Sequence, residues 1–293
     1  MIHVDKSAFR KEGREINVTF LRDCFNEEES RFIPDIATPD AFADYRKKVY
    51  LNRWLPLLLE EQSYHCCYCM RTVDINSRIN IEHIIPKVCD DVSFNRYTAD
   101  APVLGRDVMP AQEFKKLPFK TQDDIETSPM MPHTIAHTNL LVACNGIRNT
   151  RPEWCCCNNL RHNDYLKPLM LVKGGESLVM YDVNGLMSIQ PPEPSWKNIL
   201  EELNSETYQE IRIVWRHIAC NTSLTLNAIQ QLQSLLDRIN LFKEAFGMDN
   251  FLDIAENYQR YAGELKQDGN MFYWNLLMSY SWFFTYYKAQ ITP

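Results

Sequence analysis

The chain has no run of eighteen uninterrupted apolar residues, so a membrane span is not expected. Its opening Met1-Ile2-His3-Val4-Asp5-Lys6 lacks the apolar stretch of a secretory signal, and the expected address is the cytoplasm. There is no internal repeat and no low-complexity tract. A basic excess is also missing. The net charge is −7, unlike a protein that grips duplex nucleic acid through many phosphate contacts. Residues 1–65 carry ten Lys/Arg against twelve Asp/Glu, residues 66–170 twelve against twelve, and residues 171–293 nine against fourteen. The excess acid therefore sits mostly toward the C-terminal end. Strong affinity for DNA has to come from a local basic patch or from a partner.

What the chain does have is cysteine, ten in 293 residues. In a reducing compartment a cluster of thiols reads as metal ligands rather than disulfides. Cys24, Cys89 and Cys220 stand alone and read as small buried residues. The others are grouped. Cys66-x-x-Cys69 has the two-residue gap that lets both thiolates of one knuckle reach a single tetrahedral zinc. Cys144 follows, and then Cys155-Cys156-Cys157, of which one completes a four-thiolate set.

A second group of polar residues lies between the halves of the first: Glu82-His83 in Ile81-Glu82-His83-Ile84-Ile85-Pro86-Lys87, Asn139, and Asn158 directly after Cys157. Hydrolysing a phosphodiester needs a deprotonated water, neutralisation of charge at the phosphate and help for the leaving oxygen. A carboxylate can hold a divalent metal while the neighbouring imidazole, with an ordinary pKa of ~6.5, takes a proton at neutral pH. Hard oxygen ligands favour magnesium or manganese at such a site.

Residues 63–167 resemble the HNH, or ββα-metal, endonucleases in this interleaving of Glu82-His83, Asn139 and Asn158 with two cysteine knuckles. The resemblance implies a hairpin carrying Glu82 and His83 followed by a helix carrying Asn158. It makes His83 the general base, Glu82 and Asn158 the ligands of Mg2+ or Mn2+, and Asn139 the residue that fixes the loop and orients His83. It makes Cys157, next to Asn158, the fourth ligand of a structural Zn2+ beside Cys66, Cys69 and Cys144, with Cys155 and Cys156 as alternatives. Arg161 stands where a phosphate-contacting lysine commonly follows the last Asn; Lys87, Arg148 and Arg151 are further candidates for nucleic-acid contact. Arg148 and Arg151 read more simply as solvated loop charges, and His162 as a replacement for or supplement to Asn158 at the metal, or as a neighbouring or surface residue. The chain departs from the pattern in using Glu rather than Asp at position 82, and in the insertion Asn145–Trp154 within the second knuckle.

The layout is similar, more narrowly, to the HNH subunits of Septu and retron-associated anti-phage systems. The features are the Ile-Glu-His-Ile-x-Pro form, Tyr181-Asp182-x-Asn184-Gly185 after the site, and a helical tail containing Leu224-Thr225-Leu226-Asn227. That likeness implies DNA as substrate, an ATPase partner and a role as the effector nuclease of a defence complex. A zinc-stabilised, non-catalytic scaffold and an RNA- or tRNA-cutting enzyme are the rival readings.

The expected fold is α+β: a mostly helical chain with a central ββα-metal module stapled by zinc. The expected domains are an N-terminal helical region over 1–62, the nuclease module over 63–170, and a hairpin plus C-terminal helical region over 171–293 that docks a partner. Thr38-Pro39-Asp40 opens a helix that Pro56 should kink or split. The polar, proline-punctuated stretch 88–134 reads as a long loop-like insertion. Residues 178–189 read as a hairpin turning at Asn184-Gly185, and helices are expected over 195–218, 223–246, 249–267 and 270–288. The aromatic run from Phe272 to Tyr287 reads as a core helix or a partner-docking surface.

Overall fold

The computed structural model describes residues 1–38, 48–75, 79–144, 157, 164–220 and 277–291. The chain forms two units: Met1–Met180 with Ser188–Glu202, and Tyr181–Met187 with Leu203–Pro293. Helices and small two-stranded sheets make an α+β architecture. Among the described residues no helix is long and apolar enough to cross a membrane.

In the first unit, helix α1 (Arg10–Cys24) buries Gly13, Ile16, Asn17, Phe20, Leu21 and Cys24. That spacing is the stripe of an amphipathic helix, and it faces helix α2 (Lys48–Glu61). Pro56 lies inside α2 and does not split it, which leaves the kink of the two expected outcomes. Trp54, Leu55, Leu58 and Leu59 flank the proline and are all buried. Burial of these four side chains offsets the single backbone hydrogen bond a proline removes. Short strands β1 (Phe25–Asn26) and β2 (Arg31–Phe32) follow α1 as an antiparallel pair. Phe25 and Phe32 join Phe114 and Phe119 in an aromatic cluster with ring centroids 5.2–6.3 Å apart.

Strand β3 (Ile79–His83) leads into the stretch expected to be a loop, and there the structure differs. It holds α3 (Asp91–Asp100), α4 (Pro102–Asp107), β4 (Val108–Met109), α5 (Ala111–Phe114), α6 (Gln122–Thr127) and β5 (Met131–Pro132), with β4 and β5 parallel. Local capping explains the helices despite their polar composition. Asp90 accepts from the Ser93 amide, Pro102 opens α4, and Thr121 with Asp124 forms a capping box on α6. A 3-10 turn at His137–Asn139 then delivers the chain to strand β6 (Leu140–Cys144), which pairs antiparallel with β3.

Every residue of β6 is buried, and both its edges are used. One edge meets β3 in the register His83↔Leu140 to Ile79↔Cys144. No third strand covers the other edge among the described residues; side chains do so instead. Lys6 Nζ donates to the Leu140 carbonyl at 2.6 Å, and Gln62 brackets Val142. The ammonium of Lys6 also meets Glu61 at 2.6 Å with both side chains fully buried, and burial works against the charge on each partner.

Strands β7 (Val179–Tyr181) and β8 (Met187–Ile189) form the expected hairpin, with Gly185 at φ 73°, a left-handed value that favours glycine. The helix expected over 195–218 is two helices, α7 (Lys197–Leu203) and α8 (Glu206–Cys220). The break falls at Asn204, whose side chain is turned to Met187: Oδ1 accepts from its amide at 2.6 Å and Nδ2 donates to its carbonyl at 2.9 Å. In the second unit Arg212 is buried among the rings of Tyr181, Tyr208 and Phe283, and donates to the carbonyls of Gly185 (2.7 Å) and Leu203 (2.6 Å). Helix α9 (Trp282–Ile291) packs Phe283 and Tyr287 inward, so this part of the aromatic run is core. The expected helices 223–246 and 249–267 lie outside the described residues.

Candidate functional site

The four cysteines singled out by the sequence converge. The thiol sulfurs of Cys66, Cys69, Cys144 and Cys157 all lie within 4.8 Å of one another, and all four residues are buried. Cys69 and Cys144 are 3.6 Å apart, Cys144 and Cys157 3.8 Å. A disulfide would close to about 2.05 Å. Four thiolates about 2.3 Å from a tetrahedral metal sit about 3.8 Å from one another, so the set fits zinc. Cys157 is the described member of its triplet; Cys155 and Cys156 lie outside the described residues, as does the insertion carrying Arg148 and Arg151.

The knuckle forms because the chain reverses sharply after Cys69. Met70 takes φ 64° and returns its amide to the Cys66 carbonyl at 3.3 Å, while the Cys66 amide donates to Arg71 at 2.8 Å. A methionine in the left-handed region is costly, and here it is fully buried within the knuckle. The Cys67 amide docks on the Val142 carbonyl at 3.1 Å, and the Cys144 amide points to the Cys66 sulfur at 3.3 Å. Burial pushes the Cys66 thiol up, but hydrogen bonds from Cys144 and Cys157 outweigh it and hold Cys66 well below the ordinary thiol range. Cys69 is pushed well up by burial and by Cys144; Cys157 is pushed well up by Cys144 first. Four thiols so arranged share charge poorly on their own, and a cation among them removes that conflict. His65 abuts the knuckle yet stands outside the cluster.

Gln62 was not singled out from the sequence, although it holds this assembly together. It is fully buried; Oε1 accepts from the Val142 amide at 2.6 Å, and Nε2 donates to the carbonyls of Val142 and His65, each at 2.8 Å. The only local signal is a polar residue ending the apolar run Leu57-Leu58-Leu59.

Glu82 and His83 end β3, where successive side chains point to opposite faces. The two therefore diverge. The carboxylate of Glu82 bears on the Cys67 thiol and helps push its pKa up, after burial and Cys66. His83 turns instead to the segment before β6, its Nε2 2.9 Å from the Thr134 carbonyl. A carbonyl only accepts, so Nε2 carries a proton, and in the neutral ring the lone pair is on Nδ1. Both residues are nearly enclosed, at 9 % and 8 % exposure.

Asn139 is fully buried and closes the loop that follows His83. Its Oδ1 accepts from the Ile85 amide at 2.7 Å, and its Nδ2 donates to the carbonyls of Ile85 (2.9 Å) and His133 (2.7 Å). Its own carbonyl accepts from the Ile84 amide at 2.9 Å. Lys87, two residues on, is half-buried, with its carbonyl facing His133 Nε2 at 3.3 Å. Asn158, Arg161 and His162 lie outside the described residues. Among the described residues the cysteine set is the one cluster of His, Cys, Asp and Glu that could hold a metal.

No family model, curated protein or solved structure matches this chain.

The described geometry thus supplies a buried cluster of four cysteines able to hold a metal, a histidine whose Nε2 faces a carbonyl and a loop locked by Asn139. Strand β6 joins them, running from the asparagine to a cysteine of the cluster.

Proposed function

We propose that the chain is a metal-dependent endonuclease of the HNH type that hydrolyses DNA phosphodiester bonds. The observation that carries the reading is the contact between His83 Nε2 and the Thr134 carbonyl. It fixes the tautomer that leaves Nδ1 as the basic nitrogen, which is what a general base for water requires. Asn139 supports the same role by holding the chain directly after His83 through Ile84 and Ile85. Glu82 and Asn158 are the proposed ligands of Mg2+ or Mn2+, which when bound neutralises charge at the scissile phosphate. Divergence of Glu82 from His83 suits two separate tasks, metal holding on one side and proton removal on the other. The thiolate set is the proposed structural zinc site, stapling the knuckle to β6. Arg161, Lys87, Arg148 and Arg151 are the proposed phosphate contacts. The role as effector of an anti-phage complex with an ATPase partner rests on the sequence likeness, and the net charge of −7 supports dependence on a partner.

One observation favours a second reading, a zinc-stabilised binding subunit without activity: Glu82 and His83 are almost enclosed, and a base must reach water. Incubation of purified protein with plasmid DNA, and in parallel with RNA, in magnesium or manganese separates the readings. Cutting by the wild type and none by His83→Ala at unchanged zinc content is the expected result. Cutting of RNA alone moves the substrate class. A folded, zinc-loaded protein inert on both, with its partner supplied, establishes the binding subunit.

A further inference from the structure

Away from the cysteines and His83, a cavity of about 400 Å³ opens between α1 and the segment 129–138. Its cations come from one helix: Arg10, Lys11 and Arg14, with Arg10 and Arg14 one turn apart on the same face. Asp107 enters from α4, its carboxylate gripped by both Arg10 Nε and Nη2. Arg14 is braced by the carbonyls of Glu126 and Ser128, which orient the guanidinium without cancelling its charge. Lys11 is 85 % exposed, with its ammonium 4.0 Å from Glu15. Three cations against the one carboxylate lining the cavity leave it positive.

The enclosed side is built around His137, only 2 % exposed. Neither ring nitrogen has a hydrogen-bond partner; Nε2 lies 3.5 Å from Glu61 Oε1 without forming one. Burial, and then the Lys6 ammonium, holds the ring neutral. Gly13 is what admits it, because a Cβ there would meet His137 Cγ at 2.3 Å. Met131 and Ala136 add apolar wall.

We propose that this cavity binds a free nucleoside phosphate. Its size is several times that of inorganic phosphate and falls within the range of small-ligand sites. Its rim of Arg10, Lys11 and Arg14 suits a phosphate monoester, which carries close to two negative charges at neutral pH. The apolar wall of Met131 and Ala136 suits a base. A concave site of this volume takes one nucleotide rather than a duplex. The proposal does not rest on the reading of His83, since neither His83 nor any cysteine lines the cavity.

Calorimetric titration of the full chain with adenosine 5′-monophosphate, adenosine, inorganic phosphate and a 5′-phosphorylated single-stranded oligonucleotide tests it, without any need for cleavage. The monophosphate should bind at least about tenfold more tightly than adenosine or inorganic phosphate. Lys11→Glu, on an exposed side chain, should weaken that binding about tenfold with the melting temperature unchanged. Arg14→Gln is the second variant, checked for fold by circular dichroism. Absence of binding to the wild type at millimolar nucleotide overturns the proposal. So does binding indifferent to both substitutions, or binding of the oligonucleotide alone.

Discussion

Gln62 and Val142 face each other as a strand would face a strand. The side-chain amide of one accepts the N–H (2.6 Å) and donates to the C=O (2.8 Å) of the other. A single side chain thus does the work of a missing neighbour on the outer edge of β6, between α2 and the cysteine knuckle. Gln62→Leu should orphan the Val142 amide and the His65 carbonyl together and cost about 2–4 kcal/mol. Gln62→Glu should be worse than its shape suggests, because two carbonyls would then face an acceptor. Urea unfolding with zinc content measured in parallel checks both; a variant as stable as wild type would show that water replaces the amide.

Thiol substitution should discriminate among neighbours. Cys66→Ser, Cys69→Ser, Cys144→Ser and Cys157→Ser should each lose the metal, and with it stabilisation on the order of 10 kcal/mol for the central segment. Cys67→Ser should keep one zinc per chain, since Cys67 is buried beside the cluster but not of it. Metal analysis by mass spectrometry decides the point, and zinc loss in Cys67→Ser would redraw the ligand set.

Asn139→Asp exchanges a donor of two hydrogen bonds for an oxygen facing two carbonyls, those of Ile85 and His133. It should destabilise the first unit by about 3 kcal/mol or more and abolish nuclease activity with the zinc retained. A stable, active Asn139→Asp protein would remove Asn139 from the positioning role.

Acid should weaken the fold before the carboxylates titrate. Burial lowers the pKa of His133, whose Nδ1 accepts from the Ala111 amide at 3.1 Å, and lowers that of His137 further still. In the unfolded chain both titrate near ~6.5. Below that pH the unfolded state binds protons that the native state refuses. The stability these rings contribute is therefore complete above about pH 6.5 and falls as pH drops, by up to about 1.4 kcal/mol per pH unit for each ring. Urea midpoints measured from about pH 8 to about pH 5 should decline, and His137→Phe should make the decline shallower. A flat profile would mean that both rings are protonated in the native state.

In the second unit Arg212→Met should cost about 2–4 kcal/mol, because the carbonyls of Gly185 and Leu203 lose their donors deep inside the aromatic cluster. Arg212→Lys should restore little, since one ammonium cannot span both oxygens as a planar fork does. Thermal unfolding of the full chain measures each.

Short-range chemistry was legible in the sequence, and long-range pairing was not. The Cys66-x-x-Cys69 gap announces its own geometry, Cys144 and the triplet Cys155-Cys156-Cys157 offer its completion, and the resemblance to HNH nucleases singles out Cys157 among the three. The helices between Asp90 and Thr127 were hidden because each is short and polar; their signals, Asp90 before Ser93 and Thr121 before Asp124, are single caps within a turn-rich composition. At Pro56 local rules leave kink and split both open, because they cannot weigh the burial of Trp54 and Leu58 around it. The partnerships of Lys6 with Glu61 and of Gln62 with Val142 bridge 55 and 80 residues of chain, and nothing in either neighbourhood names the other end.

Strand β6 acts as a ruler. Its leading residue adjoins Asn139 and its last is Cys144, so five strand steps, about 17 Å by ordinary strand rise, set the spacing between loop clamp and cysteine cluster. A residue inserted within it would turn Cys144 to the wrong face or pull Asn139 off Ile85. The helical stretch from residue 91 to residue 127 bears no such constraint, because the clamped residues Ile84, Ile85, His133 and Thr134 lie outside it. Variation in this chain is therefore expected to accumulate as lengthened or trimmed helices between the strands, with the five-residue span itself left at constant length.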